Sequence, residues 1–195
     1  MKLTGLSLIP ALALVAACSQ QEEEAPQDVE LTLHEVMKNE IDVRADEVWA
    51  IGNAALDDQA GIDPDLMSDE DWTNLAAHSL SLRQAAIDLA TLDPIIVTRP
   101  GVKIVDEGVP FGDSSADVQA NIDKNPQGMR DMANALAAHM ADLAAAAKDH
   151  DAARAGPLIN QLDGVCETCH LEYWYPSQKE IIEQYINEGV LDPAS

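Results

Sequence analysis

The sequence V-C-E-T-C-H at residues 165–170 lies near the end of a 195-residue chain and contains a C-x-x-C-H motif. Two cysteines three positions apart project from the same side of a helix, so both thiols can add to the two vinyl groups of one haem. The histidine that follows brings its imidazole to the iron as the proximal ligand. The spacing therefore predicts one covalently attached haem, held by Cys166 and Cys169, with His170 on the metal.

Two other roles for the cysteine pair fit the sequence less well. A thioredoxin-like redox pair normally lies where a strand meets a helix, and no strand pattern precedes Cys166. A zinc site would need a fourth nitrogen or sulfur ligand at matching spacing, but the chain has no second C-x-x-C and no H-x-x-x-H. Covalent haem remains the better interpretation.

The composition favours helices. Alanine and leucine are plentiful, aromatic residues make up 4% of the chain, and runs of β-branched residues are short. A chain of this length can bury one core, so we predict a single all-α domain. The formal net charge of −24 makes nucleic acid and anionic membrane surfaces poor partners. It is consistent with partner proteins that have basic surfaces, redox partners here, and equally with a plain solvated surface.

The N-terminus predicts export and lipid attachment. Residues 1–17 begin with the basic Lys2 and continue into an apolar core that is too short to span a bilayer. They end in L-V-A-A-C, which resembles a bacterial lipobox and predicts cleavage that leaves a lipid-bearing Cys18. The alternative is ordinary cleavage nearby, with Cys18 discarded or left free. Ser19 favours the outer membrane, so we expect a periplasmic, lipid-anchored protein of a Gram-negative bacterium, with residues 18–30 as a flexible acidic tether.

Apolar residues at helical spacing predict four long helices. The first starts with a capping box at Thr32. Its apolar stripe is interrupted at Arg44, which is consistent with a local kink or a short exposed turn near Asp42. Ser68 caps the second, which stops before Pro94. The predicted helices cover about 32–56, 68–93, 129–149 and 151–174, with a further short helix in the tail 177–195.

The segments between the helices also carry information. Residues 93–115 are rich in proline and glycine, and a loop of this length usually covers a site, so we expect it to shield a haem edge. Residues 114–124 favour a short helical turn. Both cysteines of the motif fall on the apolar seam of the fourth helix, which places the haem inside the helical core.

These features together resemble the class II c-type cytochromes, the cytochrome c′ family and its low-spin relatives. The resemblance rests on four amphipathic helices, an export signal and a C-terminal C-x-x-C-H, and it covers residues 31–176. It implies an antiparallel four-helix bundle with the haem attached on the C-terminal bundle helix. The chain is most similar to a branch of methionine-ligated lipoproteins in which a methionine precedes a tryptophan by about a dozen residues, as Met37 precedes Trp49.

The resemblance also implies a sixth ligand for the iron. In the low-spin members a methionine of the first helix binds it, and the corresponding residue is Met37. In the cytochromes c′ proper an apolar residue stands there, the iron is five-coordinate and small gases bind. Met37 is also consistent with plain core packing. His34, three residues earlier on nearly the same face, is the rival ligand.

Other histidines and the few cations have weaker claims. We expect His78 and His139 to be satisfied residues beside apolar faces, and His150 to interact favourably with a helix terminus. Cytochromes c′ usually have a basic residue four positions after the haem histidine, where this chain has Trp174. The cations available to the haem propionates are Arg83, Arg99, Lys103 and Arg130.

The expected function is electron transfer by Fe(III)/Fe(II) cycling, without substrate chemistry. The alternative is a gas-binding or gas-sensing protein with an open distal side. A peroxidase would need a distal His and Arg pair at helical spacing, which is not visible, so we do not expect an enzyme. The resemblance leaves a homodimer open as an oligomeric state.

Overall fold

The computed structural model describes residues 30–57, 61–105, 107–109 and 112–190. These residues form helices and contain no strand beyond a single bridge between Leu56 and Ile62. The predicted signal segment, Cys18 and almost all of the tether lie outside the described residues. We number the helices α1 (33–54), α2 (Asp69–Ala90), α3 (Ser115–Lys124), α4 (Pro126–Lys148), α5 (152–174) and α6 (Lys179–Asn187).

Helix α1 is not a regular α-helix along its whole length. It begins with the predicted capping box, in which Thr32 and Glu35 bond each other's backbone N–H. A π-helical turn then spans Met37–Ile41, closed by the Asp42 N–H, which donates to the Met37 carbonyl five residues earlier. The sequence predicted a kink or a short exposed turn near Asp42, and the structure instead has a π-helical turn that ends just before this residue. The extra residue per turn shifts the side chains that follow.

Helices α2 and α4 pack along one another and form the densest part of the core. Their contact surfaces alternate leucines and methionine with alanines, which lets the two backbones approach closely. A Ser68–Asp71 capping box starts α2, and an Asn125 cap followed by Pro126 starts α4. Buried residues of the two helices include Leu75, Leu82, Ala86, Leu136, Ala137, Met140, Leu143 and Ala147.

Helix α5 carries the C-x-x-C-H motif at its C-terminal end. Asp151 caps it, and Pro157 lies in its second turn, where it cannot donate to the carbonyl of Ala153. Glycines allow close packing at two points: a Cβ at Gly156 would lie 3.0 Å from the Ile62 backbone nitrogen, and one at Gly52 would lie 2.9 Å from an Ile159 methyl group. The helix ends in a second π-helical turn, His170–Trp174.

The long connection between α2 and α3 packs against the start of α1. The Leu33 N–H donates to the Ile96 carbonyl, and Arg99 forms a salt bridge with Glu35 at 2.8 Å. This arginine first, and the Thr32 backbone second, lower the pKa of Glu35 to about 2. The connection therefore fixes the first turn of α1 rather than standing free.

The tail helix α6 adds no buried residue to the core. Across the described helices, none has both the length and the apolar character that a membrane span requires.

Candidate haem site

A cavity of about 430 Å³ lies between α1, α2, α4 and α5. This volume is within the range of roughly 300–1,000 Å³ that is usual for small-molecule and cofactor sites. We call it the main cavity. Its lining residues are Met37, Ile41, Asp42, Ala45, Asp46, Trp49, Leu89, Met132, Ala133, Leu136, Asp163, Val165, Cys166, Glu167, Cys169 and His170.

Both cysteines of the motif line the main cavity as free, half-buried thiols. Cys169 Sγ lies 3.6 Å from Met129 Sδ of α4. Burial, reinforced by Asp163, Asp42 and Glu167, raises the pKa of Cys166 to about 11. Burial also raises the pKa of Cys169 to about 12. The two thiols are therefore neutral at ordinary pH and face a common space, which is the arrangement that attachment to one haem requires.

His170 lines the same cavity and is the first residue of the second π-helical turn. The Tyr175 N–H donates to its carbonyl at 2.9 Å and closes that turn. Two aromatic rings flank the imidazole, Trp174 at 6.4 Å and Tyr175 at 5.7 Å between ring centroids. Burial first, and then its hydrogen bond to Glu167, raise the pKa of Tyr175.

Met37 also lines the main cavity, half-buried, and it is the first residue of the π-helical turn in α1. The two residues that the sequence suggested as axial ligands, Met37 and His170, thus both begin an irregular turn on the cavity wall. π-helical turns inside α-helices are frequent at functional sites. The rival His34 is not among the lining residues, and its backbone N–H donates to the Val97 carbonyl.

Four carboxylates line the main cavity, two from α1 and two from α5, and no lysine or arginine of the described chain does. Asp42, Asp46 and Asp163 are exposed, so they lie where the cavity meets solvent. Burial against the cavity wall raises the pKa of Asp42, and the nearby Asp46 adds to this, while His170 opposes it. This acidic group is not predicted by the sequence patterns above, although Asp163 and Glu167, four residues apart, bracket Cys166.

The cations considered as propionate partners are engaged elsewhere or lie off the cavity wall. Arg99 binds Glu35, and Arg130 donates to the Leu92 carbonyl and to Asp93. Neither Arg83 nor Lys103 lines the main cavity. The described part of residues 93–115, which we expected to shield a haem edge, does not line the main cavity.

The remaining histidines have ordinary structural neighbours. His139 Nε2 donates to the Leu158 carbonyl at 2.7 Å. His78 Nδ1 lies 2.7 Å from Glu47 Oε2, an ion-pair distance without the angle of a hydrogen bond. His150 follows α4 and stacks on Trp72, with ring centroids 5.4 Å apart. None of the three reaches the main cavity.

Comparison with known proteins supports the class of cofactor that the site suggests. Residues 106–174, which span α3, α4 and the motif-bearing α5, match the family model described as Cytochrome C'. The match covers about a third of the chain, and the class that it suggests is that of the c-type cytochromes, whose members carry covalently bound haem. No curated protein and no solved structure matches the chain.

The residues present fit such a haem. A thiol pair and an imidazole share one cavity, and the wall formed by α2 and α4 is apolar, with Leu89, Met132, Ala133 and Leu136. A flat, largely apolar macrocycle needs both features: covalent and axial attachment on one side and apolar contact on the other.

Proposed function

We propose that the protein is a monohaem c-type cytochrome that carries electrons, with thioether bonds to Cys166 and Cys169 and with His170 and Met37 as axial ligands. The observation that carries the proposal is that Met37 and His170 line one cavity from different helices, α1 and α5. A thioether sulfur and an imidazole are the axial pair of many electron-transfer cytochromes. We further propose that α1, α2, α4 and α5 form the antiparallel four-helix bundle.

When bound, the haem supplies a one-electron Fe(III)/Fe(II) couple. The chain sets how that couple behaves. A methionine sulfur at Met37 favours the ferrous state, which raises the reduction potential relative to histidine ligation. The apolar wall contributed by α2 and α4 excludes water, so less solvent rearranges when the charge on the iron changes.

We also propose an outer-membrane lipid anchor at Cys18 on the periplasmic side and a basic redox partner. The acidic residues at the mouth of the main cavity, Asp42, Asp46 and Asp163, support the second part because they surround the region where the haem would approach solvent. Attraction between opposite charges raises association rates and weakens with salt. Electron exchange with a basic donor should therefore slow as ionic strength increases, and an exchange rate independent of salt would remove the proposed steering.

The decisive experiment compares ferric and ferrous absorption spectra of the purified holoprotein with those of Met37→Ala. We expect a low-spin spectrum with a weak far-red sulfur-to-iron band that is lost on substitution. Met132→Ala is the matched control, because this methionine also lines the main cavity but comes from α4. It should keep the band.

Other outcomes reassign the site. A high-spin spectrum that Met37→Ala leaves unchanged, together with fast carbon monoxide binding, would replace electron transfer by gas binding. A low-spin spectrum that survives Met37→Ala would point to His34, whereas loss of the band only in Met132→Ala would move the ligand to α4.

A further inference from the structure

The imidazole of His170 has aromatic rings beside it. Histidines that bind metals usually donate their second ring nitrogen to an oxygen, which fixes the plane of the ring. Within the described chain, the His170 ring nitrogens have no hydrogen-bond partner. Its neighbours on the C-terminal side are the tilted rings of Trp174 and Tyr175, the nearer being Tyr175. Whatever holds Tyr175 therefore also limits how the imidazole can turn.

Tyr175 is held at both ends. Its backbone N–H donates to the His170 carbonyl at 2.9 Å, and its hydroxyl donates to Glu167 Oε2 at 2.7 Å. Glu167 lies between the two cysteines of the motif and lines the main cavity. Tyr175 also leaves the helical conformation, with φ of −144°, as is usual before a proline, here Pro176. The chain turns at this point, and the phenol ring lies back over the histidine.

We propose that Tyr175, anchored by Glu167, is a positioning residue for the iron ligand His170: its ring restricts rotation of the imidazole plane. The inference rests on the proposed function, since that proposal assigns His170 to the iron. The orientation of an axial imidazole determines how the ferric d orbitals split, so a ring that is free to turn gives a mixture of ferric states. Tyr175 keeps a single state.

A second tyrosine of the same turn provides a matched control. The Tyr173 hydroxyl donates to the Asn125 carbonyl at 3.0 Å, and its side chain is only 2% exposed. It ties the end of α5 to the junction of α3 and α4, away from the imidazole. Both tyrosines donate one hydrogen bond, but only Tyr175 contacts His170.

The experiment uses four variants of the holoprotein: Tyr175→Leu, Tyr175→Phe, Glu167→Gln and Tyr173→Phe. A pyridine haemochrome spectrum first establishes covalent haem in each. The ferric EPR g values then report the orientation of the imidazole, and a redox titration reports the potential. We expect a mixture of ferric signals for Tyr175→Leu and a smaller broadening for Tyr175→Phe, which keeps the ring but loses its anchor.

The other two variants separate orientation from charge and from stability. Glu167→Gln keeps an oxygen that can accept the tyrosine hydroxyl, so the g values should stay at their wild-type positions. Its potential should rise, because loss of a nearby negative charge disfavours the ferric state. Tyr173→Phe should lower the melting temperature and leave the g values unchanged.

The possible results separate a failure of the proposed function from a failure of the proposed role of Tyr175. Absence of covalent haem from the wild-type protein would overturn the proposed function and this inference with it. Haem attached normally, with wild-type g values in both Tyr175 variants, would overturn the inference alone. Tyr175→Phe keeps this test available if Tyr175→Leu does not fold, since it retains the ring and most of its packing.

Discussion

The helix pair α2 and α4 differs from the pair α1 and α5 in regularity and in what each buries. The first two are uninterrupted α-helices of 22 and 23 residues that bury leucine, alanine and methionine along their contact. The other two each contain a π-helical turn and contribute twelve of the sixteen residues of the main cavity, including all four acidic ones. The molecule thus places most of its close packing on one pair and its chemical groups on the other.

The difference has a physical reason. Close packing between helices needs regular side-chain rows, which small residues at every turn supply in α2 and α4. A cofactor needs space, and a π-helical turn makes space by shifting the side chains that follow it. The cost of the irregular turns in α1 and α5 is offset when the cofactor fills the cavity they border. Stability and ligand binding can then be perturbed separately.

The largest effect on stability should come from a substitution in the contact between α2 and α4. Leu82 of α2 is 0% exposed, and Leu82→Ala should lower the free energy of unfolding by about 2–5 kcal/mol, because it removes buried surface and leaves a cavity. Urea unfolding of the holoprotein measures this loss. The absorption spectrum should remain that of the wild type, since Leu82 does not line the main cavity.

Leu136→Ala is the matched control for Leu82→Ala. Leu136 lies on α4, is 8% exposed and lines the main cavity. The same truncation there should alter the haem spectrum, because the apolar wall beside the cofactor becomes more open to water. If Leu82→Ala changed the spectrum as much as Leu136→Ala, the separation within α2 and α4 between core residues and residues that line the main cavity would be wrong.

A smaller effect distinguishes two glycines of α5. A Cβ at Gly156 would meet the Ile62 backbone nitrogen at 3.0 Å, and backbone cannot yield cheaply, so Gly156→Ala should destabilise the protein by about 1–3 kcal/mol. Gly164 lies further along the helix, and a Cβ added there would have no neighbouring atom within 4 Å outside the local helix backbone. Gly164→Ala should instead stabilise by roughly 0.5–1 kcal/mol, the usual preference for alanine inside a helix.

Thermal unfolding of the Gly156→Ala and Gly164→Ala holoproteins tests these two expectations. Opposite signs are expected, although the substitutions are identical and lie on one helix. Destabilisation by both would mean that α5 is as tightly packed at Gly164 as at Gly156, contrary to the open space beside Gly164.

The sequence predicted the helices because local rules determine them. Capping residues at Thr32 and Ser68 and the apolar spacing placed the starts of α1 and α2 correctly. The C-x-x-C-H motif similarly indicated the three residues that the structure brings to one cavity wall. These three residues are neighbours in the chain on one helix, so the motif identifies them without knowledge of the tertiary structure.

Features that depend on tertiary contacts could not be predicted in this way. An apolar step of four residues from Met37 to Ile41 looks the same in an α-helix and across a π-helical turn. The contact of the α2–α3 connection with α1 involves residues more than sixty positions apart, Glu35 and Arg99. The acidic lining of the cavity likewise appears only when α1 and α5 lie side by side.

A similarly small effect on stability is expected at the N-terminus of α2. The Ser68 hydroxyl donates to Asp71 Oδ2 at 2.6 Å and accepts the Asp71 N–H. Ser68→Ala should lower the free energy of unfolding by about 1 kcal/mol near neutral pH, the usual cost of losing a helix N-cap. Ser81→Ala, inside the same helix, should instead be slightly stabilising, because alanine is the better helix former.

Low pH should reduce the difference in free energy of unfolding between the wild type and Ser68→Ala. The Ser68 hydroxyl is the main cause that lowers the pKa of Asp71 below its ordinary value of 3.8. A carboxyl whose pKa is lower in the folded state stabilises that state above the unfolded value and loses this contribution as pH falls through the folded value. The gap between the two proteins should therefore be full at about pH 7 and shrink below 3.8, whereas the Ser81→Ala gap should not change. A Ser68→Ala gap that is constant with pH would mean that the hydroxyl acts on the helix backbone alone, and not through the Asp71 carboxylate.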